Sequence, residues 1–108
     1  MANNIPLIVY PVKDLAASKK FFTTYLRTEP YADGEWYVGY KLDGVEVGLD
    51  PNGTAVVSYI DVDDIEASLK TMQDAGGTVV MEPKDVGGGL MVAQVEIDGN
   101  VLGLRQPV

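Results

Sequence analysis

The chain has 108 residues, 46% apolar and 22% charged, with 16 acidic side chains against 8 basic ones, a net charge of −8, and neither cysteine nor histidine. That composition fits one globular domain. It excludes disulfides, thiolate nucleophiles, zinc–sulfur sites, Ser-His-Asp triads and imidazole bases. The acidity argues against nucleic acid or an anionic membrane as partner. The run Leu7-Ile8-Val9-Tyr10 is far too short to span a bilayer. The expectation is a soluble cytoplasmic protein.

In chain order, Ile5 to Val12 is apolar and β-rich and reads as a strand. Asp14 then caps a helix to about Arg27, with Leu15, Phe22 and Leu26 on one face, Lys19 and Lys20 on the wet side, and Pro30 as a stop. A short strand follows near Glu29 to Ala32. Asp33-Gly34 is a turn, and Glu35 to Leu42 is a strand with three aromatics. Asp43-Gly44 turns the chain into Val45 to Leu49. Asp50-Pro51-Asn52-Gly53 is a loop.

The order then recurs. Ala55 to Val62 is a strand. Asp63 and Glu66 have the spacing of a capping box, ahead of a helix with Ile65, Leu69 and Met72 on one face. Gly76-Gly77 ends it. Thr78 to Met81 is a strand, Lys84 to Gly89 a loop, and Met91 to Ile97 and Asn100 to Leu104 form a hairpin through Asp98-Gly99.

The recurrence extends to wording. Shifted by 50 residues, Val12-Lys13-Asp14-Leu15-Ala16-Ala17-Ser18 falls on Val62-Asp63-Asp64-Ile65-Glu66-Ala67-Ser68. Shifted by 55, Asp43-Gly44-Val45-Glu46-Val47-Gly48-Leu49 falls on Asp98-Gly99-Asn100-Val101-Leu102-Gly103-Leu104. Two ordered matches with the same elements point to duplication. The expected fold is α+β: two tandem β-α-β-β-β modules, about 1–53 and 54–108, each a curved mixed sheet, together one domain over 1–108.

That order resembles the vicinal oxygen chelate superfamily, with its glyoxalase, bleomycin-resistance and dioxygenase members. The resembling residues are Val12-Lys13-Asp14 with Phe21-Phe22-Thr23-Thr24-Tyr25-Leu26, then Val62-Asp63-Asp64-Ile65, and Asp85-Val86-Gly87-Gly88-Gly89 with Asp98 to Leu104. The resemblance implies a half-barrel cleft and, in metal-bearing members, a ligand quartet at positions that are here Leu7, Val57, Gly48 and Gly103. None of those side chains can coordinate a divalent ion, so the expectation is a member without metal or other cofactor. The resemblance also implies a homodimer.

Strand alternation assigns the cleft lining. With Leu7 and Val57 facing in, so do Tyr59, Asp61, Glu46, Gly48, Asp50, Gly103, Arg105, Tyr37 and Gln94, with Trp36 at the rim. Glycine at 48 and 103 would leave room for a ligand. Aromatic walls and carboxylates suit a small aromatic or cationic organic molecule, held by sequestration. Plainer roles stand beside these: the aromatics as sheet packing, Glu46, Asp50 and Asp61 as solvated charges, Arg105 as a surface residue, and the glycines as aids to close strand packing. Two other functions remain open. One is a lyase, isomerase or dioxygenase-related enzyme using Glu46, Asp61 or Tyr59; the other is a regulatory or interaction module without a ligand.

Overall fold

A computed structural model describes residues 4–108. The chain divides into two compact units, one over Pro6–Val57 and one centred on Ser58–Val108.

The first unit contains β1 (Leu7–Pro11), α1 (Leu15–Leu26), β2 (Ala32–Asp33), β3 (Val38–Lys41) and β4 (Glu46–Asp50). β1 runs parallel to β4, β4 antiparallel to β3, and β3 antiparallel to β2. The mixed pairing follows from the connections: a helix returns the chain parallel, whereas Asp43-Gly44 can only reverse it. Gly44 adopts φ 84°, open to glycine at little cost. Asp14 accepts from the Ala17 backbone N–H at 3.0 Å and starts α1. Arg27, left-handed at φ 56°, closes the helix ahead of Pro30 by donating its N–H to the Thr23 carbonyl. Leu15, Phe22 and Leu26 pack on Val38, Tyr40, Val47 and Leu49, the last four buried. The Tyr40 hydroxyl is not orphaned: it donates to the Lys19 carbonyl at 3.0 Å and lies 2.9 Å from Thr23 Oγ1. Lys19 reaches Asp33 of β2, and that hydrogen bond holds its ammonium above the usual lysine range.

The second unit repeats the plan with β5 (Val57–Asp61), α2 (Ile65–Asp74), β6 (Thr78–Asp85), β7 (Met91–Ile97) and β8 (Asn100–Gln106). β5 is parallel to β8, and β8–β7 and β7–β6 are antiparallel. Ile65 and Leu69 of α2 pack on Ala93, Val95 and Leu104. The β7–β8 turn holds Asp98 at φ 52° and Gly99 at φ 81°, the two positive angles that match strand twist.

Three expectations shift. The strand expected from Glu35 begins at Val38, because Gly34 to Tyr37 forms a turn closed by a bond from the Gly34 N–H to the Tyr37 carbonyl at 3.0 Å. The strand expected to end at Met81 continues to Asp85; register shifts on either side of Met81 let it carry Pro83, which cannot donate to a ladder. The cap of α2 is Asp64, not Asp63. Asp64 has extended angles and accepts from the Ala67 N–H at 3.1 Å, while Gln106 Oε1 accepts from the Ile65 N–H at 2.8 Å. The buried Ile65 begins the helix, so the residue before it caps. Asp64→Ala is therefore expected to cost about 1 kcal/mol and Asp63→Ala less than about 0.5 kcal/mol. Thermal unfolding of the two variants checks this; equal losses would contradict the assignment.

Candidate functional site

In each unit the helix covers one face of the sheet, and alternation sends every second side chain to the other, inner face. Val47 and Leu49 lie under α1, so Glu46, Gly48 and Asp50 lie on the inner face of the first unit. Ala93, Val95 and Leu104 lie under α2, so Val92, Gln94, Gly103 and Arg105 lie on the inner face of the second. Ile60 and Leu102 share the outer-face parity but stay 39% and 40% exposed.

On the first inner face, Gly39 and Gly48 are direct cross-strand partners. Tyrosine rings lie over both. A Cβ at Gly48 would clash with the Tyr37 hydroxyl; one at Gly39 would meet Tyr37 Cε2 at 3.0 Å and Tyr31 Cε1 at 3.1 Å. The Tyr31 hydroxyl donates to Glu46 Oε1 at 2.6 Å, a charge-assisted bond. Lys41, the cross-strand neighbour of Glu46, places Nζ 4.7 Å from the centroid of the Tyr31 ring. Two phenols, a carboxylate and an ammonium thus meet on a floor of two glycines. Tyr31 is half exposed at 51%, and Trp36 stands clear of the strand at 69%.

The second inner face is built differently. Tyr59, 8% exposed, lies across Gly103; a Cβ there would clash with its Cδ1 and meet its Cγ at 2.7 Å. Gln94, the partner of Gly103 across β7–β8, donates from Nε2 to the Tyr59 hydroxyl at 2.9 Å. Arg105 grips Asp61 with two bonds, Nε to Oδ1 at 2.7 Å and Nη2 to Oδ2 at 3.2 Å. Asp50, in the first unit, accepts from the Asn52 N–H at 2.8 Å and shapes the loop after β4.

The room expected above Gly48 and Gly103 is therefore filled by the chain's own tyrosines. Each glycine is needed because a ring lies where its Cβ would stand. The rings come from different places. Tyr37 precedes β3, whereas Tyr59 lies on β5, and the repeat matches Tyr59 to Val9.

A model of the Glyoxalase/Bleomycin resistance protein/Dioxygenase superfamily matches residues 4–103. The chain belongs to that superfamily. Its fold is also that of solved structures. A superfamily member from Vibrio splendidus 12B01 superposes with a TM-score of 0.71 at 24% identity, covering 94% of this chain and 97% of that one. Methylmalonyl-CoA epimerase from Streptomyces coelicolor, in complex with 2-nitronate-propionyl-CoA, gives 0.74 at 17%, covering 96% of both. A protein described as NAD-dependent benzaldehyde dehydrogenase from Legionella pneumophila gives 0.76 at 16%, covering 94% and 98%. At these identities the likeness is one of fold. No curated protein matches the chain by sequence.

The positions that the resemblance implies for a metal in this superfamily do not fit one here. Leucine, valine and two glycines supply no donor, and tyrosine rings cover both glycines. Among the described residues, no three acidic side chains converge, and no helix is long and apolar enough to cross a membrane. Sequence alternation placed the inner-face residues but left out Tyr31, which precedes the two-residue strand β2. Its signal was Gly39, whose missing side chain leaves space for a ring.

The covering rings approach their glycines differently. Over Gly48 lies the hydroxyl end of Tyr37, at the tip of its side chain; over Gly103 lies the base of the Tyr59 ring, nearer the backbone and held by Gln94. Gly103→Ala is expected to cost about 1–3 kcal/mol and Gly48→Ala less. In a double-mutant cycle, Tyr59→Ala should recover part of the Gly103→Ala loss. Additive losses measured by denaturant unfolding would contradict the packing described.

Proposed function

We propose that this protein binds a small organic molecule bearing an aromatic or cationic group on the inner face of its first module, by sequestration rather than turnover. The observation that carries this is the pair Tyr31 and Tyr37 side by side over Gly39 and Gly48, with Glu46 held beneath the Tyr31 hydroxyl. A half-exposed ring offers a stacking surface, and the neighbouring carboxylate favours a positive ligand. Of the inner-face carboxylates, Glu46 is the one bonded to the Tyr31 ring. Asp61 is neutralised by Arg105, and Asp50 serves its own loop. We further propose a cytoplasmic homodimer, which sedimentation tests.

The enzymatic alternative has less support. Glu46 is tied to Tyr31, Tyr59 to Gln94 and Asp61 to Arg105. None of these contacts favours a base poised at a reacting carbon.

The test is thermal stability against planar organic compounds, neutral and cationic. A compound at 100 times its Kd should stabilise the fold by about 2.7 kcal/mol, a shift of several degrees. Tyr31→Ala should weaken binding about two- to tenfold. Glu46→Gln should weaken a cationic compound and spare a neutral one, whereas Asp61→Asn should change neither, as read by calorimetry. No shift with any compound would favour an interaction module instead.

A further inference from the structure

We infer that the Tyr31–Glu46 corner of the first module is a site for a quaternary or alkylated ammonium group, and that Lys41 occupies it as an internal competitor. The inference rests on the binding reading above and names its ligand chemistry. Three observations carry it. First, a cation already sits there: Lys41 Nζ lies 4.7 Å from the Tyr31 centroid, within the range of attraction by a ring face. Second, that ring is fixed rather than loose, since its hydroxyl bonds Glu46 at 2.6 Å and its edge rests on Gly39. The bond directs the carboxylate's charge to the same corner. Third, the Tyr37 ring shares the Gly39 floor with Tyr31, so a second aromatic ring lies next to the one that faces the cation.

Lys41 is a poor permanent occupant. Its ammonium is compact and strongly hydrated, and its four-carbon stem is flexible and exposed here. A methylated ammonium is less hydrated and spreads its charge over a larger surface, which suits an aromatic wall and a nearby carboxylate better. Such a ligand gains the corner only by moving Lys41 aside. Its apparent affinity is reduced by the fraction of molecules in which Lys41 is in place. Lys41 thus sets both the affinity and the selectivity of the corner.

The test compares choline with its neutral isostere 3,3-dimethylbutan-1-ol, titrated by calorimetry into the wild-type chain and three variants. Lys41→Gln should tighten choline about two- to fivefold, the span of an exposed cation–π contact, and leave the neutral isostere unchanged. Adding Tyr31→Leu, which keeps apolar bulk but removes the ring, should abolish the gain. Lys13→Gln, the same charge change at an exposed position before α1, should give no gain. Equal gains with Lys13→Gln, equal gains with the neutral isostere, or no gain with Lys41→Gln would each overturn the inference. Absence of choline binding in every variant would overturn it too. The planar neutral compounds would still decide the broader binding reading, so the two failures are distinguishable.

Discussion

The constraint on which the rest depends is the two-residue period of the last strand in each module. In β4 it commits Val47 and Leu49 to the core under α1, Leu49 with no exposure at all. Glu46, Gly48 and Asp50 must then go to the opposite face. A slip of one residue would expose the core side chains and bury a carboxylate, a change costing far more than a domain's stability margin allows. The core under the helix therefore fixes the identity of the inner face, and the inner face fixes which chemistry is available. The same logic holds in β8, where buried Leu104 places Gly103 and Arg105 inside.

The two inner faces show how duplicated modules diverge without changing fold. Both keep a glycine at the matching place in the last strand, and both lay a tyrosine over it. One ring enters from the turn before β3 and the other from β5. In the first module the cross-strand partner is a second glycine, which leaves space for two rings. In the second it is Gln94, whose amide fixes the single ring by its hydroxyl. The first face therefore carries a half-exposed ring, Tyr31, with a carboxylate and an ammonium at its margin. The second is closed by a buried ring and a paired Arg105–Asp61.

Much of the fold was legible because its signals are local and repeated. Asp14 and Asp64, 50 residues apart, cap their helices through the same bond to an alanine N–H, and the repeat marked both. Reading Asp63 as the cap followed the spacing to Glu66 and overlooked the repeat, which aligns Asp14 with Asp64. The alternation in β4, β7 and β8 likewise gave the correct faces. The site was less legible because it depends on what fills space. A glycine in a strand is consistent with an open floor, a close strand approach or a ring lying across it, and composition does not distinguish them. Tyr31 was missed because β2 is only two residues long and gives no periodicity to read. The charge of the face was overestimated because pairing is invisible in sequence: Asp61 and Arg105 are 44 positions apart yet bonded twice.

The central claim is that the Tyr31, Tyr37 and Glu46 face of the first module is where a ligand binds. Its most direct test is a heteronuclear NMR titration with a planar aromatic cation. The shifts are expected to cluster at Tyr31, Tyr37, Gly39, Lys41, Glu46 and Gly48. Saturable shifts centred on α2 or on the Gly87 to Gly89 turn, with those six positions unmoved, would contradict it.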